Sequence, residues 1–433
     1  MDENVKDKSL LWKSLCKGCE MGAELKSFVK SQILEINKGG LPVLARKLRR
    51  MIREVISVIV APAILLFLFI LRPFILIRVG SLRTDCIGHL ALNYDLYLCE
   101  RDAGLHPSCS FDIFFPNKIP VCNEQLVRMW KRRLPIHRSF YYVYRAINLC
   151  SGFEQHLIDT SSRDRYGILH GSKLQLSFTR EEAETGNSAL VEMGLVDIDY
   201  VCINARDKTY KETTTPKVDW SYHDYNNMDI NTYIPAIESM VDIGYSVVRM
   251  GSIVKERCNI SHPKFIDYAT NGMRSGFLDI YLPSKCCFFI SNGTGIDSVS
   301  RILRKPILYV NVVPLEYVFA DDPQDLFIPK KLWMRSERRF MTFQEILESG
   351  VGRFLHTHLY EENNLEIVYN TPEEIEAATR EMHMRLKGSW KTAEEDDELQ
   401  KRFWLLFKPS FINRNFRSNI GTEFLRQNRD LLD

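Results

Sequence analysis

Short apolar runs alternate along most of the chain with polar turns and with segments of helical periodicity. The runs rich in β-branched and aromatic residues predict strands, because such side chains pack well on a half-buried pleated surface. They are Phe74–Gly80, Phe111–Phe115, Tyr200–Asn204, Tyr245–Gly251, Phe265–Ala269, Lys285–Ser291 and Pro306–Val313. Near-continuous apolar strands that alternate with helices are typical of a parallel sheet covered by helices. The pattern therefore predicts an α/β fold.

Helical periodicity fills several of the segments between and after these strands. The predicted helices include Thr232–Gly244, Leu278–Lys285, Gly295–Arg304 and Thr371–Trp390. A polar, strand-poor segment from about Ser151 to Leu195 interrupts the alternation. We interpret it as the junction between two α/β domains.

A different pattern precedes the first strand. Val55–Leu71 is a run of 17 residues without a charge, and six basic residues with no acidic one lie between Lys38 and Arg53. As a helix the run would be roughly 25 Å long, slightly short of a hydrocarbon core of ~30 Å. We expect it to lie in the plane of a membrane or to re-enter it, with the basic flank on anionic headgroups. The alternative is a core helix kinked at Pro62.

Composition and charge narrow the class of protein. With 433 residues, 45% apolar and 26% charged, the chain can form two or three water-soluble domains. A net charge of +2 excludes a whole-chain polyanion binder, so we expect no nucleic acid among its partners. The 11 cysteines are odd in number and scattered through apolar runs, which favours free thiols in a reducing compartment.

The strongest local motif is a glycine-rich turn where a buried strand meets a helix, Ser291-Asn292-Gly293-Thr294-Gly295. Its two glycines let backbone N–H groups approach an anion, and the N-terminus of the following helix adds a favourable partial charge. The motif is neither a P-loop nor a dinucleotide-binding fingerprint. It predicts either a phosphate site or only a tight strand-to-helix turn.

Two arginines stand at the carboxyl ends of other predicted strands. Arg206 follows Tyr200–Asn204, with Asp207 beside it, and Arg249 lies in the strand that ends at Gly251. In open α/β sheets the carboxyl ends of the strands face the ligand crevice. Both guanidinium groups are therefore expected to meet a diphosphate near the glycine-rich turn. A surface ion pair between Arg206 and Asp207 is the simpler alternative.

The order of several motifs resembles a family of bacterial glycosyltransferases from cell-surface polysaccharide loci. The motifs are R-D-x-x-Y from Arg206, G-Y-x-V-x-R-M-G from Gly244, L-D-I-Y-L-x-x-K-C-x-F-F-I-S-N-G-T-G from Leu278 and K-P-I-L-Y-V-N from Lys305. The resemblance runs from about Arg78 to the C-terminus. Inverting fucosyltransferases are more distantly similar. This chain has Asn204-Ala205-Arg206-Asp207 where they carry H-x-R-R-x-D, so the identity of the donor sugar does not carry over.

The resemblance implies a GT-B architecture, in which the C-terminal of two Rossmann-like domains holds a nucleoside-diphosphate sugar as co-substrate, with no other cofactor and no metal. The donor-binding residues would be Arg206, Asp207, Tyr210, Arg249, Gly251, Ser291, Asn292, Gly293, Thr294, Gly295 and Asp297. The expected divisions are a basic and apolar helical segment (1–72), an N-terminal acceptor domain with the junction (73–195), a C-terminal donor domain (196–390) and a helical tail that packs back on the N-terminal domain (391–433).

The first strand-to-helix turn, within Ile77–Asn93, resembles that of heptosyltransferases, in which an aspartate serves as the base. Asp85 occupies a similar place. His89 is the alternative base, because an imidazole has an ordinary pKa of about 6.5, close to working pH. Arg78 and Arg83 would hold an anionic acceptor.

Two further motifs suggest other chemistry. Asp197-Ile198-Asp199 is a D-x-D, which holds a metal in GT-A enzymes, but it precedes a strand instead of ending one. The basic residues between Arg128 and Arg138 are interpreted as a solvated helix face, with lipid phosphates or an anionic lipid-linked acceptor as the alternative and nucleic acid as a weaker one.

The motifs and the resemblance together predict a metal-independent transferase of hexosyl or deoxyhexosyl groups. Inversion at the anomeric carbon is implied by the resemblance alone. The protein would act at the cytoplasmic face of the cell membrane, as a peripheral or monotopic protein, on a surface-polysaccharide or lipid-linked glycan acceptor. Two alternatives stay open: a nucleotide-sugar 2-epimerase of the same fold, and a non-catalytic membrane scaffold or glycan-binding component of a polysaccharide assembly machine.

Overall fold

The computed structural model describes the backbone of residues 4–216, 218–255, 257–410, 412–414 and 416–433, and side chains from residue 30 onward except residue 31. The chain divides into two compact units. We call Met1–Phe74 with Tyr141–Leu157 the helical unit, and Ile75–Phe140 with Ile158–Asp433 the α/β unit.

Most strands of the α/β unit form one parallel sheet. The strands are β1 (Leu76–Leu82), β2 (Ser110–Pro116), β3 (Tyr200–Asn204), β4 (Ser246–Arg249), β5 (Phe265–Ile266), β6 (Phe289–Ser291), β7 (Ile307–Val312), β8 (Leu326–Pro329), β9 (Lys331–Met334), β10 (Arg339–Phe340), β11 (Leu365–Val368) and β12 (Asn419–Ile420). Seven of them lie in the order β12-β8-β7-β6-β3-β4-β5, and each neighbouring pair is parallel. The predicted α/β fold with a parallel sheet is confirmed.

Helices connect and cover these strands. They are α1 (Asn4–Leu71), α2 (Ile87–Asp102), α3 (Glu124–Lys131), α4 (Phe140–Ile147), α5 (Arg180–Glu192), α6 (Thr209–Thr214), α7 (Ile234–Ile243), α8 (Leu278–Lys285), α9 (Asp297–Ile302), α10 (Phe343–Glu348), α11 (Thr357–Glu362), α12 (Pro372–Leu386), α13 (Glu394–Leu405) and α14 (Thr422–Gln427). A capping box at Thr371 starts α12: Thr371 Oγ1 accepts from the N–H of Glu374, and the Glu374 carboxylate accepts from the N–H of Thr371.

The part of the α/β unit before the junction is smaller than the full Rossmann-like domain that we expected. Among its described residues it holds one β-α-β motif, in which β1 and β2 pair in parallel and α2 connects them. A second hydrophobic core joins this motif to α9, with Leu90 and Phe114 in the same cluster as Val299 and Ile302. Helix α2 is thereby fixed against α9, the helix that follows the glycine-rich turn.

We expected the tail after residue 390 to pack back on the N-terminal domain, but its described residues pack on the large sheet. In α13, Leu399 and Phe403 are buried four residues apart on one face. The Phe403 ring lies 5.8 Å from that of Phe327 in β8 and 5.1 Å from that of Phe343. After α13, β12 adds an edge strand to β8. The apolar face of α13 is what directs the tail to the sheet.

In the helical unit, α1 is the dominant element. Its helical dihedral angles break at Gly40, where φ is 61°, whereas the helix continues through Pro62, where the sequence suggested a kink. The portion Gln32–Leu71 is long and apolar enough to cross a membrane by length and composition. At its centre Glu54 accepts a hydrogen bond from the Tyr141 hydroxyl (2.5 Å) and pairs with Arg145 (2.8 Å), both in α4.

Candidate active site

The glycine-rich turn after β6 is held by its own side chains. Ser291 Oγ accepts hydrogen bonds from the N–H groups of Gly293 (3.2 Å) and Thr294 (3.4 Å), and it donates one to Asp297 (2.8 Å). Burial raises the pKa of Asp297 to about 6. Ser291 and Asp297 are both at most 2% exposed. These two residues, which we expected to bind the donor, shape the turn instead.

Gly293 is the open point of the turn. Its φ of 80° lies in the left-handed region that favours glycine. A Cβ built on it would meet no described atom within 4 Å. With Asn292 it lines a cavity of about 170 Å³. The backbone at Gly293 is therefore approachable, as a phosphate contact requires.

Asn292 ties this turn to the loop after β3. Its Oδ1 accepts from the N–H of Arg206 (2.9 Å), and its Nδ2 donates to the Asn226 carbonyl (2.7 Å). The next side chain of the turn also reaches β3, because Thr294 Oγ1 donates to Asn204 Oδ1 (2.8 Å). The structure thus brings Arg206 and the glycine-rich turn together, with Asn292 and Thr294 as positioning residues.

Arg206 and Lys330 are neighbouring cations at the carboxyl edge of the sheet. Arg206 forms no ion pair with a described carboxylate. Burial lowers its pKa, and the charge of Asp224 opposes this shift only in part. Lys330 is 3% exposed, donates to the Tyr225 carbonyl (2.6 Å), and lies 3.8 Å from the ring centroid of Tyr369. Burial and the charge of Arg206 lower the pKa of Lys330 to about 7. The half-buried Arg206 and the buried Lys330 repel one another when both are charged, so the arrangement is suited to an anionic ligand.

A third cation, Arg163, lines the same cavity as Asn292 and Gly293. Its guanidinium donates to the Tyr317 carbonyl (2.9 Å) and lies 4.5 Å from the ring centroid of Phe319. Burial and the charge of Arg301 lower the pKa of Arg163 to about 10. Arg163 pairs with no described carboxylate, so it too has positive charge available to a ligand.

Sequence analysis missed Arg163 and Lys330. Arg163 lies in the polar junction, where no periodicity marks one residue above its neighbours. Lys330 directly follows β8, so it obeys the same rule of strand ends that pointed to Arg206. The segment Leu326–Pro329 is an apolar run of four residues ahead of Lys330, and this signal was available in the sequence.

His89 lies in the first turn of α2, beside the glycine-rich turn. A Cβ built on Gly295 would lie 3.1 Å from the backbone N of Gly88, so the two turns touch. His89 Nδ1 is 3.2 Å from Asn93 Oδ1, while Asn93 Nδ2 faces the Thr160 carbonyl (3.4 Å). A carbonyl only accepts, which orients the Asn93 amide and assigns the proton to His89 Nδ1. The lone pair is then on Nε2, as a general base needs.

The surroundings of the two candidate bases favour His89 over Asp85. Burial and the charge of Arg83 lower the pKa of His89, which keeps the imidazole neutral at working pH. At Asp85 burial raises the pKa, but hydrogen bonds from Arg83 (3.4 Å) and Asn117 (3.3 Å) outweigh it and lower the pKa overall. A carboxylate stabilised in this way is a weaker proton acceptor.

Arg78 was expected to hold an acceptor, but it is buried in an ion pair. Its Nε and Nη2 donate to the two carboxylate oxygens of Asp112, at 2.7 and 2.8 Å. The Tyr97 hydroxyl donates to the same carboxylate, and Arg78 is 6% exposed. A guanidinium so engaged is structural. Arg83, in contrast, keeps 43% of its side chain exposed near Asp85 and His89.

Arg249 and Gly251 also have structural surroundings. Arg249 pairs with Asp267 (3.1 Å) and is 3% exposed, so it does not offer a free charge to a donor. A Cβ on Gly251 would lie 2.9 Å from Val254 and 3.1 Å from Ala269, which shows that close packing of the loop requires a glycine. The ion pair of Arg249 with Asp267 thus fixes the end of β4 against the segment that contains Asp267.

The remaining predicted donor residues lie in the loop after β3. Asp207 accepts from the N–H groups of Thr209 (2.7 Å) and Lys255 (2.6 Å), and so orders this loop. Tyr210 is half-buried in α6, and burial raises its pKa. Asp207 therefore acts as a loop-positioning residue.

Residues of the two alternative motifs are engaged in ion pairs or hydrogen bonds with neighbouring side chains. Asp199 of the D-x-D pairs with Lys387 (3.1 Å) on the rim of the sheet. In the basic cluster, Arg132 pairs with Glu182 (2.9 Å) and Arg133 donates to Gln175 (2.8 Å). These contacts are those of a solvated surface.

An aromatic group that the sequence did not predict adjoins Arg206. Trp220 and Tyr222 stack at 5.8 Å, Tyr222 and His223 lie 4.2 Å apart, and Lys211 lies 4.6 Å from the Trp220 ring. Burial and the charges of Arg206 and Lys211 lower the pKa of His223 to about 4, so this imidazole is neutral. The site therefore offers flat neutral rings next to its cations.

No protein-family model and no curated protein matches the sequence. Solved structures to which the chain is similar include a glycosyl transferase of family 9 from Veillonella parvula, with 11% identity, 71% of this chain and 97% of that one covered, and a TM-score of 0.40. A second is the ADP-heptose LPS heptosyltransferase II of E. coli, with 12% identity, 66% of this chain and 99% of that one covered, and a TM-score of 0.34. A third is the UDP-GlcNAc 2-epimerase of Neisseria meningitidis, with 12% identity, 72% of this chain and 99% of that one covered, and a TM-score of 0.26. At these identities and TM-scores the similarity does not identify a function.

Proposed function

We propose that the protein is a glycosyltransferase that moves a sugar from a nucleoside-diphosphate sugar to a hydroxyl group of a surface-polysaccharide or lipid-linked glycan. The observation that carries the proposal is the cation pair of Arg206 and Lys330 beside the open turn at Gly293. A diphosphate placed there supplies the negative charge that the pair lacks. The cavity wall connects these groups, because Asn292 contacts Arg206 and Tyr225 contacts Lys330.

The proposed reaction is a single displacement. The acceptor hydroxyl oxygen attacks the anomeric carbon from the face opposite the diphosphate, and His89 Nε2 takes the hydroxyl proton. The new C–O bond forms as the bond between the anomeric carbon and the phosphate oxygen breaks. The electron pair of that bond leaves with the nucleoside diphosphate. One such displacement inverts the configuration of the anomeric carbon.

The leaving diphosphate gains negative charge, and cations fixed beforehand would stabilise it. Arg206 is positioned through its backbone N–H by Asn292, and Lys330 by the Tyr225 carbonyl. Preorganised charges in a water-poor site stabilise developing charge more strongly than mobile solvent does. We therefore assign charge neutralisation to side chains and propose transfer without a metal ion. We propose a hexosyl or deoxyhexosyl group as the sugar.

Calorimetry with a panel of UDP-, GDP-, dTDP- and CMP-sugars tests the proposal. The first three carry a diphosphate and the last a single phosphate, so a diphosphate site should bind at least one of the first three more tightly than any CMP-sugar. Arg206→Ala should weaken that binding about 10-fold or more, since a hydrogen bond to a charged group contributes about 1.5–3 kcal/mol. Arg335→Ala is the matched control, because Arg335 is an exposed arginine paired with Glu366.

The same panel separates the alternatives. A sugar nucleotide that is converted to its 2-epimer without any acceptor would identify an epimerase. Failure of every sugar nucleotide to bind would identify a non-catalytic scaffold or glycan-binding component. Binding that Arg206→Ala and Arg335→Ala leave equally tight would reject the proposed site.

A further inference from the structure

The apolar end of α1 is packed on one face and exposed on the other. Three residues, Ser57, Ala61 and Leu68, are buried at helical spacing and mark the packed face. Seven large apolar residues of the same segment are more than 50% exposed: Val55, Val58, Ile59, Leu66, Phe67, Phe69 and Ile70. On a helical wheel these seven cover about half of the circumference opposite the packed face. So large a contiguous apolar surface marks an interaction site.

A buried core helix does not explain this segment. The most apolar window of Gln32–Leu71 has a mean hydropathy of 2.7, yet only 17% of it is buried. A core helix of the same composition would bury most of its side chains, because apolar surface left in water costs roughly 25 cal/mol per Å². The composition is that of a core helix, but the packing is not.

A leader sequence does not explain the apolar end of α1 either, because side chains of α4, later in the chain, contact this helix. The Glu54 carboxylate binds the Tyr141 hydroxyl and pairs with Arg145, both in α4. The Arg53 guanidinium lies 4.2 Å from the Tyr141 ring centroid. Cleavage of a leader after this segment would also remove Arg53 and Glu54, and with them these contacts to α4. The segment therefore belongs to the folded helical unit.

The charges beside the segment are complementary to an anionic surface. Six basic residues precede it between Lys38 and Arg53, and Arg72 follows it. Of the six, Lys47 pairs with Glu35 (2.7 Å), whereas Arg46, Arg49 and Arg50 are exposed. The single acid at the start of the segment, Glu54, is neutralised by Arg145. Basic residues at a membrane surface each gain about 1 kcal/mol from anionic lipid.

We propose that the helical unit is a bilayer-binding unit, with the exposed face of Val55–Leu71 lying in the plane of a membrane rich in anionic phospholipid. The packed face runs the length of the segment, from Ser57 to Leu68, so the helix has one side for lipid and one for protein, as an in-plane helix has. This inference concerns where the protein acts and is independent of the proposed sugar transfer. If that transfer is also correct, the cytoplasmic face is the side on which nucleotide sugars are supplied.

Flotation of the full chain with phospholipid vesicles tests the inference. We expect the protein to float with vesicles of phosphatidylcholine and phosphatidylglycerol (7:3), to float less with phosphatidylcholine alone, and to lose part of its binding at high salt. Ile59→Asp places a charge in the exposed apolar face and should reduce the membrane-bound to free ratio about 10-fold or more. Val191→Asp is the matched control, because Val191 is similarly exposed on α5 of the α/β unit.

Four outcomes would contradict the inference. The chain could remain at the bottom of the gradient with the anionic vesicles. Ile59→Asp and Val191→Asp could float equally well. Alternatively, the wild-type chain could form a dimer without lipid that Ile59→Asp dissociates, which would show that a second copy covers the face. Finally, resistance to alkaline carbonate extraction would indicate that the helix spans the bilayer and does not lie in its plane.

Discussion

The first turn of α2 and the glycine-rich turn meet at Gly88 and Gly295, where a Cβ on Gly88 would lie 3.0 Å from the Cα of Gly295. Reciprocally, a Cβ on Gly295 would lie 3.1 Å from the backbone N of Gly88. Both distances are unusually short for a Cβ contact, so an added methyl group would require the facing backbone to move by a few tenths of an ångström. Two glycines, 207 positions apart in the sequence (295 − 88), therefore set the separation between the proposed base and the proposed diphosphate site.

Gly88→Ala should therefore reduce turnover more than stability. The added methyl group pushes α2 away from the turn and displaces His89, and small displacements of reacting groups cost up to about 100-fold in rate. The rate should be measured with sugar nucleotide and acceptor, and stability by urea unfolding. Gly171→Ala is the control, since its Cβ would meet only the Ile168 carbonyl oxygen at 4.0 Å. Unchanged turnover in Gly88→Ala would show that this contact does not position the base.

The strands and the glycine-rich turn could be predicted from the sequence because their determinants are local. Tyr200–Asn204 and Ile307–Val312 are apolar runs bounded by polar residues, and the structure places strands there. The orientation of the side chains at the strand ends could not be predicted in the same way. Arg249 is the last residue of β4, whereas Arg206 lies just beyond the neighbouring β3. Asp267 pairs with Arg249, but no described carboxylate forms an ion pair with Arg206. Only the tertiary fold decides which arginine is free.

The register of β1 and β2 explains why the ion pair of Arg78 could not be predicted from the sequence. Arg78 and Asp112 face one another across the parallel pair of β1 and β2, so their ion pair follows from the alignment of two strands that are 34 residues apart. The sequence predicts both strands but not their alignment. Arg163 could not be predicted for a different reason. It lies in a polar segment without periodicity, and its place on the cavity depends on the path of that segment.

Replacement of Arg78 separates a structural role from acceptor binding. Arg78→Ala leaves the buried Asp112 carboxylate with the hydroxyls of Tyr97 and Ser110 and the exposed Arg101, and it should lower the free energy of unfolding by about 3 kcal/mol. Arg83→Ala, at the exposed arginine, should change that free energy by less than about 0.5 kcal/mol. Urea unfolding monitored by circular dichroism measures both. Equal midpoints for the two variants would contradict a structural role of Arg78.

Lys330 should couple donor binding to proton uptake. Its folded-state pKa is about 7 and its ordinary value is 10.5, so between these limits the unfolded chain binds more protons at Lys330 and stability rises with pH. A diphosphate beside the amine favours the charged form and raises the pKa. At pH 8 the donor should therefore bind with uptake of up to one proton, and its affinity should fall as pH rises above 7.

Calorimetry in buffers of different ionisation enthalpy measures this uptake directly. The phosphates of a sugar nucleotide do not titrate near pH 8, so the proton signal reports the protein. Lys330→Met should abolish the uptake and remove the pH dependence of binding. Lys331→Met is the control at the adjacent residue, which pairs with Glu374 at 2.7 Å. Uptake that persists in Lys330→Met would assign the proton to another group.

The choice between the two candidate bases can be made by substitution. His89→Gln removes the Nε2 lone pair and should lower kcat by about 10²–10⁴-fold while leaving the affinity for sugar nucleotide unchanged. Asp85→Asn should lower kcat by less than about 10-fold, because the carboxylate is already stabilised by Arg83 and Asn117. The reverse ranking of the two variants would make Asp85 the base.

The pH dependence of kcat/KM gives an independent test of His89. Burial and the charge of Arg83 hold its pKa below the ordinary 6.5, so the neutral form predominates at pH 7 and the rate should fall only as pH drops below 6.5. Arg83→Ala removes one of the causes that lower the pKa of His89 and should move this acid limb to higher pH, toward 6.5. Lys118→Ala, which removes an exposed cation from the loop after β2, serves as the control. An acid limb that Arg83→Ala leaves in place would show that the titrating group is not His89.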